Sequence, residues 1–158
     1  MSHTLLFVCT GNTCRSPLAE ALARRLARER GLDIRVASAG TGALYGSPAS
    51  DGSILVGLER ALDLSAHRAR MLSSALVDEA ALILCMSEHH VAQAHALGGA
   101  GKVHLLSDFA AGVATRRAIS DPFGSGLDAY RVMADELDEL MPRVIDRLVR
   151  EPLAPGQS

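Results

Sequence analysis

Short apolar runs alternate along the chain with longer segments in which apolar residues recur every three or four positions. The runs at 4–9, 34–39, 81–86 and 102–106 have the length and continuous hydrophobicity of strands that are buried on both faces. The periodic segments between them are typical of helices that bury one face. This alternation predicts an α/β domain in which a four-stranded parallel sheet carries helices on both faces.

The helices are expected in the segments that separate these runs. The first begins near Ser16 and Pro17, since serine caps helices and proline fits their first turn, and it ends before Gly31. Further helices are expected near 52–64, 73–79 and 88–97, and the last runs over the apolar positions from Tyr130 to Leu148. The stretch after 106, rich in Ala and Gly, is predicted to be a loop that leads to Ser120.

Length and composition indicate one folded unit. A chain of 158 residues suits a single core, and we expect residues 1–150 to form one domain and 151–158 a disordered tail. The hydrophobic fraction of 48% and charged fraction of 22% exclude wholesale disorder. Only 3% of residues are aromatic, so the core must be aliphatic and few rings exist to stack on single-stranded nucleic acid.

Charge and cysteine usage bear on partners and compartment. A net charge of -2 provides no field to attract nucleic acid or an anionic membrane, and neither is expected as a partner. No signal peptide is recognisable, and no window approaches the roughly 20 apolar residues of a membrane span. Three cysteines do not make a disulfide framework. A cytoplasmic location is therefore expected.

The segment 9–17, between the first strand and the first helix, carries the most informative chemistry. It reads Cys-Thr-Gly-Asn-Thr-Cys-Arg-Ser-Pro. A strand–loop–helix junction directs backbone N–H groups and a helix dipole at any anion there. Gly11 and Asn12 tolerate left-handed backbone, which lets consecutive N–H groups curl inward, and Arg15 adds a planar fork suited to two phosphate oxygens. This pattern predicts a phosphate-binding loop.

Cys9 lies at the base of that loop. A thiol beside a helix N-terminus and an arginine is favoured as the thiolate near neutral pH. A thiolate that faces a cradled phosphoryl group is a nucleophile aimed at phosphorus. The Ser16 hydroxyl is in a position to donate to the sulfur, which stabilises it as nucleophile and as leaving group. The loop therefore predicts nucleophilic phosphoryl chemistry.

Other interpretations of the segment fit less well. Cys9 and Cys14 could be half of a zinc site, but Cys85 lies in a predicted buried strand. The remaining candidate ligands lie on one helix without a matching pair: His89, His90 and His95. The Gly-Lys-Ser/Thr of a nucleotide loop and the GxGxxG of a dinucleotide loop are both missing. No metal and no other cofactor is expected.

The string from Val8 to Pro17 resembles the signature of the low-molecular-weight protein tyrosine phosphatase family. The resemblance extends to 38–41, 67–70 and 121–124 and so spans the chain to about Leu148. It implies a Rossmann-like three-layer α/β sandwich and hydrolysis through a cysteinyl-phosphate intermediate. It also implies phosphorylated proteins as substrates, with phosphate or another oxyanion in the loop.

The resemblance also implies residue roles. Asp121, followed by Pro122, would be the general acid beside Cys9 and Arg15, because a carboxylic acid over the phosphate site can protonate the leaving atom and then activate water. Residues expected to contact the substrate or its phosphate are Thr10, Gly11, Asn12, Thr13, Cys14, Ser16 and Phe123.

The resemblance further implies contacts that support the loop or its nucleophile. Asn12 would hold its strained backbone through hydrogen bonds to Ser38 and His67, so that the loop is formed before substrate arrives. Cys14 could form a reversible disulfide with Cys9 and shield the nucleophile from over-oxidation.

Two positions bear on which phosphorylated residue is the substrate. Tyrosine-directed eukaryotic members carry an aliphatic residue where Thr13 stands and two aromatic residues after the Asp-Pro, whereas this chain has only Phe123 there. The pair is similar to the bacterial protein arginine phosphatase branch. Threonine narrows the pocket floor and offers a hydroxyl to a slim guanidinium phosphate, while the missing aromatic wall weakens contact with phosphotyrosine. We expect phosphoarginine to be preferred, with phosphotyrosine as the alternative.

Arsenate reduction is a third candidate. Arsenate reductases related to this family share the loop and use three cysteines in relay. Cys85 resembles the position of their second cysteine, but Ala92 stands where the third is expected. The relay cannot be completed within this chain, so Cys85 is interpreted as a core residue. A binding module with an inactive site would lack the nucleophile, the arginine or the acid, and all three are present.

Overall fold

The computed structural model describes residues 3–153. Its elements, in chain order, are β1 His3–Cys9, α1 Arg15–Glu29, β2 Ile34–Gly40, α2 Asp51–Leu58, α3 Ser74–Glu79, β3 Ala80–Cys85, α4 Glu88–Ala96, β4 Val103–Leu105, α5 Leu106–Ala111 and α6 Leu127–Arg150.

The sheet has the strand order β2-β1-β3-β4, and every pair is parallel. β1 lies inside the sheet, which explains why its apolar run is continuous rather than alternating. Its register with β2 runs from His3 opposite Ile34 to Cys9 opposite Gly40. The predicted four-stranded parallel α/β fold is confirmed. Because the strands are parallel, the loops that follow β1, β2 and β3 meet at one edge of the sheet.

Successive residues of β1 point to opposite faces of the sheet and enter two different cores. Leu5 and Phe7 pack in the larger core, to which α1, α2, α5 and α6 contribute. Leu6 and Val8 pack in the smaller core, which α3 and α4 cover. The two helical layers with the sheet between them are the predicted three-layer sandwich.

Helix α2 is shorter than predicted, since it ends at Leu58 rather than Leu64. Ala61 adopts a left-handed conformation with φ of 59°, and the Leu62 N–H donates to the Gly57 carbonyl at 2.8 Å. This arrangement closes the helix as a Schellman-type end does. The residues after it turn back, so that Leu64 packs against Gly57, where a Cβ would lie 2.5 Å from Leu64 Cδ1.

The loop predicted after residue 106 is wrong for 107–111, which form α5 together with Leu106, a residue predicted to end the fourth strand. The strand β4 is only three residues long, and the helix follows it directly. Leu106 and Phe109 bury one face of α5 in the larger core. Gly112, with φ of 73°, ends the helix in left-handed conformation.

The C-terminal helix α6 ends at Arg150, and Leu153 still packs against the larger core. The predicted tail lies for the most part at 154–158, outside the described residues. Within residues 3–153, no helix combines the length and the hydrophobicity needed to cross a membrane.

Candidate active site

A cavity of about 430 Å³ opens at the carboxyl edge of the sheet. Its lining includes most of the residues that the sequence predicted for the site, namely Cys9, Thr10, Gly11, Thr13, Cys14, Arg15, Asp121 and Phe123. The loop after β2 adds Gly42, Leu44 and Ser47, which the sequence analysis did not assign. The strand order could have indicated them. β2 lies next to β1 and parallel to it, so the loop after β2 begins at the same edge of the sheet as the phosphate loop.

The Cys9 sulfur lies at the base of this cavity, almost fully buried. Its Sγ is 2.8 Å from Ser16 Oγ and accepts the Asn12 N–H at 3.3 Å. Ser16 Oγ already accepts a hydrogen bond from Asn12 Nδ2 at 2.7 Å, so its own hydrogen is available for the sulfur. Both groups therefore stabilise negative charge on Cys9.

Asn12 holds the loop from behind and is fully buried. Its φ of 55° is left-handed, in agreement with the strained backbone expected there, whereas Gly11 does not use the left-handed region that glycine tolerates. Asn12 Nδ2 also donates to Ser38 Oγ at 2.9 Å, and Oδ1 accepts the Arg70 N–H at 3.0 Å. His67 Nε2 lies 2.7 Å from the Asn12 carbonyl oxygen. The expected contacts to Ser38 and His67 are present, the latter to the backbone, whereas Arg70 was missed.

The end of β2 fits against the phosphate loop through its backbone. The Thr41 N–H donates to the Cys9 carbonyl and the Gly42 N–H to the Thr10 carbonyl, both at 2.9 Å. A Cβ on Gly40 would lie 2.3 Å from Thr10 O and 2.9 Å from the Asn12 nitrogen. Glycine is therefore required at position 40 for the two segments to approach so closely.

Arg15 connects the phosphate loop to the segment that carries the predicted acid. Its guanidinium is almost fully buried, with Nη1 donating to the Ile119 carbonyl at 3.0 Å and Nη2 lying 3.6 Å from Asp121 Oδ2. The Asp121 side chain is about half exposed. Ile119 is itself buried, and its N–H donates to the Met86 carbonyl at 2.8 Å. The acid-bearing segment is thus anchored two residues before Asp121.

Two further contacts shape that segment. Glu136 on α6 accepts hydrogen bonds from the Ser120 N–H at 2.8 Å and from its hydroxyl at 2.7 Å. Asp121 Oδ1 accepts the Phe123 N–H at 3.1 Å, which forms a tight Asx-type turn. Phe123 and Leu44 are both largely exposed at the mouth of the cavity, where they offer apolar surface beside the phosphate loop.

Cys14, the second loop cysteine, is buried. Its Sγ lies 3.5 Å from Ser50 Oγ and 3.4 Å from the Tyr130 hydroxyl. Burial raises the pKa of Tyr130, with the Cys14 contact as the next cause, so the phenol stays protonated. A disulfide between Cys14 and Cys9 stays a prediction.

Cys85 is fully buried in the smaller core. Burial, followed by the charge of Cys9, raises the pKa of the Cys85 thiol to about 12, so it is not a thiolate near neutral pH. Its placement agrees with the interpretation of Cys85 as a core residue. Within residues 3–153, no three His, Cys, Asp or Glu side chains are grouped as a metal site would require.

His90 was considered in the sequence only as a possible metal ligand. In the structure it is fully buried, and its Nε2 lies 2.8 Å from Thr10 Oγ1. The two residues are 80 positions apart, and nothing in the local pattern of either one indicates the contact.

Known proteins are similar to this chain in sequence and in architecture over nearly its whole length. Residues 4–153 match the family model of the low molecular weight phosphotyrosine protein phosphatase. The chain is 37% identical over 153 residues to a protein-arginine-phosphatase of Geobacillus stearothermophilus, covering 96% of this chain and 99% of the relative. It is 36% identical over 149 residues to EpsP of Ralstonia nicotianae, a probable low molecular weight protein-tyrosine-phosphatase, covering 94% and 95%.

Solved structures of similar proteins have the same fold. A mutant of YwlE from Bacillus subtilis superposes with a TM-score of 0.88 at 34% identity, covering 94% of this chain and 99% of that one. A YwlE arginine phosphatase mutant with a phosphorylated active site serine has a TM-score of 0.87 at 34% identity, covering 94% and 97%. This chain belongs to the low molecular weight phosphotyrosine protein phosphatase family.

Proposed function

We propose that this protein is a cytoplasmic, cysteine-dependent protein phosphatase that prefers phosphoarginine side chains. The observation that carries the proposal is the position of Cys9 Sγ. It receives hydrogen bonds from Ser16 and from the Asn12 N–H at the base of a cavity whose wall includes Arg15 and Asp121. A nucleophile, an anion cradle and a proton donor thereby share one pocket.

In the first step the Cys9 thiolate attacks phosphorus in line. The S–P bond forms while the bond from phosphorus to the substrate nitrogen or oxygen breaks. Loop N–H groups and the Arg15 guanidinium stabilise charge on the equatorial oxygens. The Asp121 carboxylic acid gives its proton to the leaving atom and becomes a carboxylate.

In the second step water hydrolyses the cysteinyl-phosphate. The Asp121 carboxylate removes a proton from the attacking water, the P–O bond forms and the S–P bond breaks. The Ser16 hydroxyl donates to the departing sulfur, which lowers the energy of the thiolate that leaves. The products are inorganic phosphate and the regenerated Cys9 thiolate. The phosphorylated active site serine of the YwlE mutant supports a covalent phosphoryl step on this fold.

The preference for phosphoarginine rests on the shape and polarity of the pocket. Thr13 lines it with a β-branched side chain and a hydroxyl, and Phe123 is the aromatic residue of the lining. A β-branched side chain that carries a hydroxyl suits a slim, polar guanidinium phosphate better than a phenyl phosphate. The arginine phosphatase of Geobacillus stearothermophilus, alike over nearly the full chain, supports this choice.

Phosphotyrosine hydrolysis is the second candidate. The likeness to EpsP is almost as high as that to the arginine phosphatase. The exposed Leu44 and Phe123 side chains could flank an aromatic ring at the cavity mouth. Differences of one or two such contacts change specificity by about 1–3 kcal/mol, so the preference is one of degree.

The test is a side-by-side measurement of kcat/KM on matched peptides that carry phosphoarginine, phosphotyrosine or phosphoserine. The wild type is compared with Cys9→Ser and with the control Cys85→Ala, which removes a thiol outside the pocket. We expect phosphoarginine to be the fastest substrate, Cys9→Ser to be inactive and Cys85→Ala to remain active. Faster phosphotyrosine hydrolysis would overturn the substrate preference, and an active Cys9→Ser would overturn the mechanism.

A further inference from the structure

The buried His90 side chain has a hydrogen-bond pattern that fixes which of its nitrogens carries the proton. His90 is the third residue of α4, and its Nδ1 accepts the Ser87 backbone N–H at 3.1 Å. Because that nitrogen must accept, the ring proton is on Nε2 in the neutral form. The Ser87 hydroxyl, 2.8 Å from the same Nδ1, is consistent with this tautomer as a second donor.

The Nε2–H of His90 then donates to Thr10 Oγ1 at 2.8 Å. Thr10 follows the nucleophile directly and lines the cavity. Its side chain is exposed, whereas its hydrogen-bond partner is fully buried. Since the Thr10 carbonyl is also held, by the Gly42 N–H, both ends of this residue are fixed. With its oxygen accepting from His90, Thr10 can direct its own hydroxyl hydrogen elsewhere.

The neutral state of His90 is stable against protonation. Burial, and after it the charges of His89 and Arg15, lower the pKa of His90 to about 3 against the opposing charge of Asp121. Nδ1 therefore stays unprotonated near neutral pH, which keeps it an acceptor for the Ser87 N–H and leaves the single ring proton on Nε2.

We propose that His90 is a positioning residue of the phosphate site, because it holds Thr10, and with it the start of the phosphate loop, through a fixed Nε2–H donor. The proposal rests on the proposed phosphatase function for its kinetic consequences. A residue that only capped α4 would need an acceptor for the Ser87 N–H, which a side-chain carbonyl or carboxylate oxygen at this third helical position supplies without a ring. The second hydrogen bond, to Thr10, distinguishes His90 from such a cap.

The test separates the two hydrogen bonds of the ring. His90→Asn retains an acceptor for Ser87 but loses the donor to Thr10, whereas His90→Gln retains a donor that can reach Thr10. Thr10→Val removes the acceptor while keeping the β-branched shape, and it changes an exposed side chain that folding tolerates. His95→Asn, an exposed residue of the same helix, is the matched control.

We expect His90→Asn and Thr10→Val each to raise the inhibition constant for orthovanadate and to lower kcat/KM on an aryl phosphate by about three- to tenfold, the effect of one neutral hydrogen bond. His90→Gln should recover most of the loss, and His95→Asn should match the wild type. The double variant His90→Asn with Thr10→Val should be no worse than the poorer single variant, because both remove the same interaction. Wild-type vanadate affinity in Thr10→Val would overturn the proposal.

A spectroscopic measurement keeps this test independent of catalysis. In ¹⁵N NMR of the wild type, His90 should show a protonated Nε2 and an unprotonated Nδ1, unchanged between about pH 5 and 8. A proton on Nδ1, or titration of the ring in this range, would overturn the proposal. A wild type that binds vanadate yet hydrolyses no phosphorylated substrate would instead overturn the proposed function, and vanadate affinities would still decide the role of His90.

Discussion

Arg15 Nη1 donates to the Ile119 carbonyl at 3.0 Å, which joins the phosphate loop to the segment carrying Asp121. The same guanidinium has its Nη2 3.6 Å from the Asp121 carboxylate. Nη1 thus fixes the distance between the phosphate loop and the segment that carries Asp121. Nη2 would be shared between the Asp121 carboxylate and a phosphate bound in the loop. This sharing predicts opposite effects of one substitution on turnover and on binding.

Asp121→Asn should lower kcat on an aryl phosphate by about 10²–10⁴-fold, the usual contribution of a general acid. It should also bind orthovanadate at least as tightly as the wild type, because the amide removes a negative charge that faces Arg15. Steady-state kinetics and vanadate inhibition measure the two effects separately. Asp128→Asn, at a fully exposed position, is the control. Unchanged turnover in Asp121→Asn would rule out the acid assignment.

Two substitutions at Asn12 separate backbone strain from hydrogen bonding. Both Asn12→Ala and Asn12→Gly remove the bonds to Ser16, Ser38 and Arg70, so both should weaken vanadate binding and lower the free energy of unfolding by about 2–4 kcal/mol. Asn12→Ala should be less stable than Asn12→Gly by about 1 kcal/mol, because the left-handed φ at position 12 costs alanine more conformational energy than glycine. Chemical denaturation measures the difference, and equal stability of the two variants would contradict it.

Thr13→Ile should lower the ratio of phosphoarginine to phosphotyrosine hydrolysis by about 5- to 100-fold, the range expected for one or two pocket contacts. Isoleucine is β-branched like threonine but lacks the hydroxyl and adds apolar bulk. Thr13→Val keeps the shape and removes the hydroxyl alone, so it shows how much of the change is polar. The ratio of kcat/KM values on matched peptides is the readout. A ratio that both variants leave unchanged would exclude position 13 as a determinant.

Stability should fall with acidification partly because of His90. Its pKa is about 3 in the folded protein against an ordinary 6.5, since burial disfavours the imidazolium. Below pH 6.5 the His90 ring binds a proton in the unfolded chain but not in the folded protein. The contribution of His90 to the free energy of unfolding is therefore complete above pH 6.5 and is lost as pH falls toward 3. From pH 7.5 to 5 the free energy of unfolding should drop about 2 kcal/mol more in the wild type than in His90→Gln.

Denaturant titrations at both pH values measure this difference. The other titrating groups, among them His104, whose pKa burial also lowers, are common to the two proteins and cancel. Parallel losses of stability in wild type and His90→Gln would show that the ring titrates normally.

The parts of the site that could be predicted from sequence are those that are contiguous in it. Cys9, Arg15 and Ser16 lie within one short segment, and the residue types of that segment indicate the chemistry that we propose for it. The strands can be predicted equally well. A parallel sheet is buried on both faces, so its strands are continuous apolar runs without alternating polar residues.

The contacts that escaped prediction join distant segments. Arg70 reaches Asn12 across 58 positions through its backbone N–H, a group that every residue except proline has, so no residue type marks it. His90 reaches Thr10 across 80 positions. Helix α5 was not predicted for another reason. Its six residues are too few to show a clear period of apolar positions, and the helix is stabilised by the packing of Leu106 and Phe109 into the core.

The hydrogen bonds that Asn12 makes to Ser16, Ser38, His67 and Arg70 also couple folding to the binding of an oxyanion. Segments from β1, β2 and the chain near His67 must all be in place before the loop has its shape, and the unfolded chain has no such cradle. Any oxyanion that fills the loop therefore adds RT ln(1 + [L]/Kd) to the free energy of unfolding. Inorganic phosphate, the product of the proposed reaction, should raise Tm with the logarithm of its concentration once that concentration is well above Kd, so that the product of turnover also stabilises the enzyme that makes it.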